Sequence, residues 1–203
     1  QTGCGIVDIM MHTLERYFHT SSDNEPADGF AEALLRSVIK AAKVVDKNPT
    51  DYDARAVLML MSSLSHNGLT SIGKKMLLFV HQIEHAVSGV YPAVAHAAGL
   101  SVLFPAWAKY YVNYDVDKFN KLAMNVFDLH KKDKMENAKA GIKEIEKLFK
   151  SLDMPLTFKE LGIKNVDIKR IVNIVTNNGT RVIEHPKKNM DSEVVQTIIE
   201  SCL

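Results

Sequence analysis

The stretch His-Gln-Ile-Glu-His at residues 81–85 sets the interpretation of the chain, because it carries two histidines four residues apart. In a helix, residues i and i+4 lie on one face, about one turn from each other. The surrounding segment Lys75–Val90 follows a glycine-containing loop and is predicted to be a helix. We therefore predict that both imidazoles project from the same side of this helix.

Helical spacing extends over most of the chain, and no segment alternates for long as a strand would. The third segment, Tyr52–His66, is apolar over most of its circumference, which is typical of a central, buried helix. The polar break His19–Pro26 and either Thr50 or Asp51 are expected to cap the helices that follow them. The sequence predicts an all-α domain of about eight helices. The predicted segments are Ile6–Phe18, Phe30–Val45, Tyr52–His66, Lys75–Val90, His96–Tyr111, Phe119–Leu129, Glu136–Leu152 and Asp191–Ser201, with short elements at Thr157–Leu161 and Asp167–Val175.

The composition of the chain argues against several classes of protein. The 203 residues, 46% of them hydrophobic, are enough for one domain with a proper core. The formal net charge of +1 gives no electrostatic reason to expect nucleic acid or an anionic membrane as partner. No apolar stretch approaches the ~20 residues that cross a bilayer. The two cysteines, Cys4 and Cys202, stand at opposite ends and favour a reducing cytoplasm over a disulfide framework.

An acid–histidine pair near the start of the chain has the same spacing as the histidine pair at residues 81–85. Asp8 and His12 are also four residues apart, and they lie among apolar neighbours. An ionised carboxylate on such a face needs a compensating partner, and a cation supplies one. His96 follows just beyond the turn expected at Tyr91-Pro92. One carboxylate and three imidazoles suit a divalent transition metal such as iron or zinc.

Two alternatives remain open at this point. Residues 81–85 also fit the His-x-x-Glu-His pattern of one class of zinc metalloproteases, in which both histidines bind zinc and Glu84 activates water. That helical metallohydrolase leaves Asp8, His12 and His96 without a role, and we favour Glu84 as a carboxylate on the helix surface. The other alternative is a non-catalytic helical interaction module with structural histidines.

We assign no chemical role to four further histidines or to three of the methionines. The histidines in polar or terminal contexts are His19, His66, His130 and His185. Met59, Met61 and Met76 are interpreted as core filler.

The motifs, taken in order, resemble one known family. Asp-x3-His, then His-x3-His, then a third histidine ahead of Gly-Leu, is similar to the C-terminal half of the iron-containing (group III) alcohol dehydrogenases, in their butanol dehydrogenase and aldehyde reductase branch. Supporting stretches lie at residues 7–17, 66–69, 83–91 and 103–107. The resemblance runs from the first residues to about residue 163 and, more loosely, to the C-terminus.

This resemblance implies roles for five residues. Asp8, His12, His81 and His96 would be ligands of Fe²⁺ or Zn²⁺, and His85 a non-ligand histidine beside the nicotinamide and the substrate. The implied activity is hydride transfer between NAD(P) and a primary alcohol–aldehyde pair, in a full-length enzyme that is a cytoplasmic homodimer. His96 follows His81 by one residue more than is usual in the family.

The resemblance also implies a domain organisation. Enzymes of this family have an N-terminal α/β domain that binds NAD(P), followed by a helical domain that binds the metal. The chain starts with glutamine and contains no Gly-x-Gly-x-x-Gly or Gly-x4-Gly-Lys-Ser/Thr motif. We therefore expect residues 1–203 to be the helical metal-binding domain, with the N-terminal domain absent from this chain. Such an isolated domain is expected to be inactive and to expose a partly apolar, cofactor-facing surface.

Overall fold

The computed structural model describes residues 1–19, 24–75 and 77–203. Over these ranges nine α-helices and one 3-10 turn, Leu69–Ser71, follow one another, and the extended structure is an isolated bridge between Ile183 and Met190. The predicted all-α fold is confirmed, with one helix more than the expected eight. The helices are α1 (Thr2–Phe18), α2 (Glu25–Lys47), α3 (Tyr52–His66), α4 (Phe79–Val90), α5 (His96–Tyr111), α6 (Val116–Phe127), α7 (Lys134–Ser151), α8 (Ile168–Val175) and α9 (Ser192–Glu200).

Polar side chains start several of these helices, as the breaks in the sequence predict. Asn24 Oδ1 accepts a hydrogen bond from the backbone N–H of Ala27, and Asp51, rather than Thr50, caps α3 through the N–H of Ala54. Such caps satisfy backbone donors that the first turn leaves free. Of the predicted break, residues 20–23 lie outside the described residues. So does Met76, which belongs to the stretch that was expected to open α4.

The prediction that α3 is central and buried is wrong. Its buried residues are Ala54, Leu58 and Ser65, whereas Met59 and Leu60 are 74% and 56% exposed. The helix packs mainly against α2 and α1, and much of the rest of its apolar surface faces solvent. An apolar circumference predicts burial only where partners cover every side, and in the described part of the chain partners contact α3 on one side.

The core is built around α5 instead. This helix is buried along most of its length and contacts both α1 and α4. The ring of Trp107 stacks on Phe79 and Tyr111, with centroid separations of 4.6 and 4.8 Å. Each large apolar side chain that is fully buried contributes about 1.5–3 kcal/mol, so this contact fixes α4 against α5. Among the described residues, no helix has both the length and the apolar character needed to span a membrane.

Candidate metal centre

Helices α1, α4 and α5 bring the four predicted ligands together. Asp8 Oδ1 lies 3.6 Å from Nε2 of His12, 3.6 Å from Nε2 of His81 and 3.7 Å from Nε2 of His96. These distances are too long for hydrogen bonds. Donors placed ~2.1 Å from an ion at the corners of a tetrahedron are separated by about 3.4 Å. The observed separations therefore match the edges of a coordination polyhedron.

Two atoms of this cage are buried without a partner. Asp8 Oδ1 and His81 Nε2 have no hydrogen-bond partner within the described ranges of the chain. A buried carboxylate oxygen that faces three imidazole nitrogens and bonds to none of them is unfavourable unless a cation lies between them. The donor set thus fits a divalent transition ion of the kind that the sequence suggests.

The grouping of these side chains has an unexpected feature. Asp8, His81 and His96 offer ligand atoms that lie within 4.8 Å of one another, and so do Asp8, His12 and His66. The ring of His12 is 3.7 Å from that of His66 and 4.4 Å from that of His81, between centroids. His66 was given no chemical role from the sequence. The signal that could have found it is its place at the end of α3, before the Asn-Gly turn at residues 67–68.

Glu15 fixes His81 and also starts α4. In the described residues α4 has no side-chain cap of its own. One oxygen of the fully buried Glu15 instead accepts hydrogen bonds from the backbone N–H groups of Val80 and His81, the latter at 3.1 Å. The other oxygen accepts the Nδ1–H of His81. Because Glu15 accepts the proton of Nδ1, Nε2 is the nitrogen that faces Asp8 and that can bind a metal. A carboxylate at a helix N-terminus is also favoured by the helix dipole.

The expectation that Glu84 is a surface carboxylate is wrong. Its side chain is fully buried, and it accepts hydrogen bonds from His96 Nδ1–H and Ser88 Oγ–H. Gly99 makes this position possible, since a Cβ there would lie 2.7 Å from Glu84 Oε1. Helix periodicity shows that Glu84 shares α4 with His81 but not that α5 covers it. Glu84 therefore does for His96 what Glu15 does for His81.

The carboxylates and imidazoles of the cage shift one another's pKa values. Burial alone raises the pKa of Asp8, but His81 and the nearby imidazoles bring that pKa below its usual value. Burial alone lowers the pKa of His81, yet the carboxylates of Asp8 and Glu15 outweigh it and raise the pKa to about 9. Burial and the positive charge of His81 lower the pKa of His12 to about 3. A metal ion that enters the cage would thus replace the proton on His81.

His85 lies at the rim of the site. Its exposed ring is 5.5 Å from that of His96 and 6.1 Å from that of His81, between centroids. It belongs with Glu84 and His96 to a third possible donor group, and not to either group that contains Asp8. His85 is therefore one turn from a predicted ligand, on the side that solvent reaches, and its role stays a prediction.

Three other histidines lie apart from the donor groups of the described residues. His19 and His185 are 6% and 7% exposed, so the polar or terminal contexts assigned from the sequence are wrong for both. Each has one ring nitrogen without a hydrogen-bond partner in the part of the chain that the structure describes. His130 is exposed and pairs with Asp128 at 2.8 Å.

Comparison with known proteins agrees with this architecture. The model of the Fe-containing alcohol dehydrogenase family, C-terminal, matches residues 2–202. The chain is 42% identical over 165 residues to NADH-dependent butanol dehydrogenase A of Clostridium acetobutylicum, which covers 80% of this chain and 42% of that protein. It is 36% identical over 206 residues to butanol dehydrogenase B of the same bacterium, with 99% and 52% covered. The crystal structure of NADH-dependent butanol dehydrogenase A from Thermotoga maritima matches with a TM-score of 0.91 at 30% identity, over 100% of this chain and 52% of that one. The chain thus spans about half the length of these relatives.

Proposed function

The chain belongs to the Fe-containing alcohol dehydrogenase family, whose C-terminal part it matches over residues 2–202, and from that premise we propose that it forms the metal-binding part of an NAD(P)-dependent alcohol dehydrogenase. The proposed reaction is hydride transfer between the nicotinamide and a primary alcohol–aldehyde pair. The observation that carries the proposal is the cage in which Asp8 Oδ1 faces three imidazole nitrogens without a hydrogen bond. Relatives named butanol dehydrogenases support a primary alcohol as substrate.

In this proposal Asp8, His12, His81 and His96 hold Fe²⁺ or Zn²⁺. A divalent ion there supplies Lewis-acid stabilisation of negative charge on the substrate oxygen. Asp8 contributes the anionic donor and His12 a neutral imidazole. Glu15 orients the ring of His81 and, through the equivalent contact, Glu84 orients the ring of His96. The buried carboxylates keep both Nε2 lone pairs directed into the cage.

His85 is proposed to contact the substrate and the nicotinamide and to carry a proton. An imidazole exchanges protons near neutral pH, which suits a general acid or base. Its exposure at the rim supports this role, since a proton can pass between its ring and solvent. Because the ring lies outside both Asp8 groups, His85 is free to act on the substrate.

The remaining features of the whole protein are proposals of the same kind. We propose that NAD(P)H is bound mainly by an N-terminal α/β domain, that residues 1–203 alone are inactive, and that the full-length enzyme is a homodimer in the cytoplasm. The lack of a phosphate-binding glycine motif in these 203 residues supports the assignment of cofactor binding to the N-terminal domain.

The metallohydrolase alternative has little support from the site. A hydrolytic base must reach a water molecule, but the Glu84 carboxylate is fully buried and bonded to His96 and Ser88. An interaction module, in turn, gives no reason for a carboxylate to face three imidazole nitrogens. We therefore propose neither function.

Metal content and turnover of the full-length enzyme, measured side by side, test the assignment of roles. His81→Ala should empty or loosen the site because it removes a donor. His85→Ala should keep the metal and lower turnover by about 10²–10⁴-fold, the usual effect of losing a general acid–base group. His130→Ala, at an exposed histidine outside the donor groups, is the matched control and should change neither. Equal metal loss in His81→Ala and His85→Ala would contradict the proposal.

A further inference from the structure

We propose that Gly5, one helical turn before Asp8 on α1, leaves the space for the carbon chain of the substrate and so determines the size of the alcohol or aldehyde that reacts at the metal centre. This inference rests on the proposed function, because it concerns the substrate of that reaction. Glycine is, after proline, the residue least favourable to the interior of a helix. Even so, α1 has a glycine three residues before its first predicted ligand.

The fold of the described residues does not require a glycine at position 5. Most of the other glycines have either a left-handed backbone or a neighbour that would collide with a β-carbon. The first group is Gly68, Gly73, Gly162 and Gly179, and the second is Gly3, Gly99 and Gly141. Gly5 belongs to neither group, since it lies within α1 and no described atom comes within 4 Å of the position that its β-carbon would take. Alanine would fit there and would favour the helix.

Gly5 shares one face of α1 with two predicted ligands of the metal. Residues 5, 8 and 12 are spaced by three and four, which places them along one side of the helix. Gly5 is exposed and both ligands are partly exposed, whereas Ile6 and Val7 are buried in the core. The side of α1 that solvent reaches is therefore the side on which the metal centre lies.

The cage is closed by donors on three sides, and Gly5 lies on another. Nε2 atoms of His12, His81 and His96 surround Asp8 Oδ1 at 3.6–3.7 Å. Of these, His12 stands one turn after Asp8 on the same helix. Helix side chains lean toward the N-terminus of their helix, so the carboxylate of Asp8 leans over the turn that contains Gly5. Three residues of helix rise about 4.5 Å, which is within reach of a small molecule at the centre.

The centre that Gly5 borders has polar atoms that await a ligand. Asp8 Oδ1 and the Nε2 of His81, a residue that is 2% exposed, are buried without a hydrogen-bond partner in the described ranges. Gly5 itself adds no such polar group, because its N–H donates to the backbone oxygen of Gln1 at 3.1 Å. What Gly5 offers is a CH₂ group and the space beside it. That surface suits an alkyl chain better than a hydroxylated or charged one.

The test compares two aldehydes of different length in the full-length enzyme. Gly5→Ala adds one methyl group beside the centre, and one carbon in an apolar site changes discrimination by about 10–200-fold. We expect the ratio of kcat/KM for butyraldehyde to that for acetaldehyde to fall by about 10-fold, the lower end of this range. Gly29→Ala is the matched control. Gly29 is also exposed, with no described atom within 4 Å of its β-carbon position, on a helix without predicted ligands, and its ratio should stay that of the wild type.

Urea unfolding of the metal-free 203-residue chain gives a readout that does not depend on activity. Both Gly5→Ala and Gly29→Ala should unfold at a higher urea concentration than the wild type, because alanine favours a helix. The zinc content of both variants should equal that of the wild type. A lower midpoint for Gly5→Ala alone would show that the fold needs this glycine, and it would overturn the proposal.

Two kinetic results would also overturn it. One is an unchanged ratio for the two aldehydes. The other is an equal loss for both aldehydes with a raised KM for NADH or NADPH, which would assign the space beside Gly5 to the cofactor. A wild-type enzyme that reduces neither aldehyde would overturn the proposed function as well, whereas the other results concern Gly5 alone.

Discussion

In the described part of the chain, buried histidines lie in the candidate metal centre and in the aromatic cluster around Trp107, and their surroundings differ. At the centre, His81 is 2% exposed and lies between the carboxylates of Asp8 and Glu15. In the cluster, His185 is 7% exposed and its ring lies 4.4 Å from that of Tyr111 and 4.9 Å from that of Phe79, between centroids. The two imidazoles are almost equally removed from water but have opposite neighbours.

The neighbours decide the protonation of each ring. Burial alone lowers the pKa of both, because a charged imidazole is poorly solvated inside a protein. At His81 two carboxylates reverse this effect and raise the pKa to about 9. At His185 no carboxylate of the described residues opposes burial, and repulsion from His19 and Lys187 helps to lower the pKa to about 3. Burial by itself thus yields a neutral packing group, and buried carboxylates turn a histidine into an oriented donor.

Removing the charge of Glu15 should produce the largest change. Glu15→Gln keeps an oxygen that can accept from the backbone of α4 but loses the anion that orients His81. We expect zinc affinity of the 203-residue chain to fall by about 10–100-fold, toward the upper end because the contact is fully buried. Zn²⁺ titration against a competing chelator measures this. Unchanged affinity in a folded Glu15→Gln chain would mean that the lone pair of His81 is oriented by other contacts.

Replacing His185 should change the pH dependence of stability and leave metal affinity unchanged. Because its folded pKa of about 3 lies below the unfolded value of about 6.5, the unfolded chain takes up the proton first as pH falls. This part of the stability is fully present above pH 6.5 and is lost as pH falls toward 3, at about 1.4 kcal/mol per pH unit. His185→Phe removes this penalty and keeps an aromatic ring in the cluster.

Urea unfolding of the chain at pH 7 and pH 5, with chelator present, measures the difference. Between pH 7 and pH 5, the free energy of unfolding of the wild type should fall by about 2 kcal/mol more than that of His185→Phe. This figure follows from about 1.4 kcal/mol per pH unit over the roughly 1.5 units between pH 6.5 and pH 5. Both chains should still lose stability as the pH falls, since burial lowers the pKa of His19 and of His12 as well. The exposed His130→Ala should follow wild type. Parallel curves for His185→Phe and wild type would show that His185 is charged in the folded chain.

Glu84→Gln should have the smallest of the three effects. It removes the anion beside His96, whose side chain is 41% exposed and can be hydrated where that of His81 cannot. We expect zinc affinity to fall by about 10-fold, the lower end of the range for such partners. The same chelator competition as for Glu15→Gln measures it. An effect larger than that of Glu15→Gln would reverse the order of importance assigned to the two carboxylates.

Periodicity predicts the helices and the i, i+4 pairs, and the resemblance to a known family joins these pairs into one ligand set. Periodicity reports which residues share a face, so the bounds Tyr52–His66 and His96–Tyr111 and the i, i+4 pairs are confirmed. It does not report what covers a face. For that reason it places Glu84 on the surface and α3 in the core, and it gives no role to Glu15, whose partners are 65 and 66 residues away.

The lack of a side chain at Gly99 determines which substitutions this position tolerates. A β-carbon there would lie 2.7 Å from Glu84 Oε1 and 2.8 Å from its Cγ, so even alanine would push the carboxylate away from His96. In genetic terms, position 99 belongs with position 84, because a side chain at 99 displaces the carboxylate that holds His96. Alleles at this position would resemble Glu84→Gln, and a revertant could arise at residue 84 through a shorter acid such as aspartate.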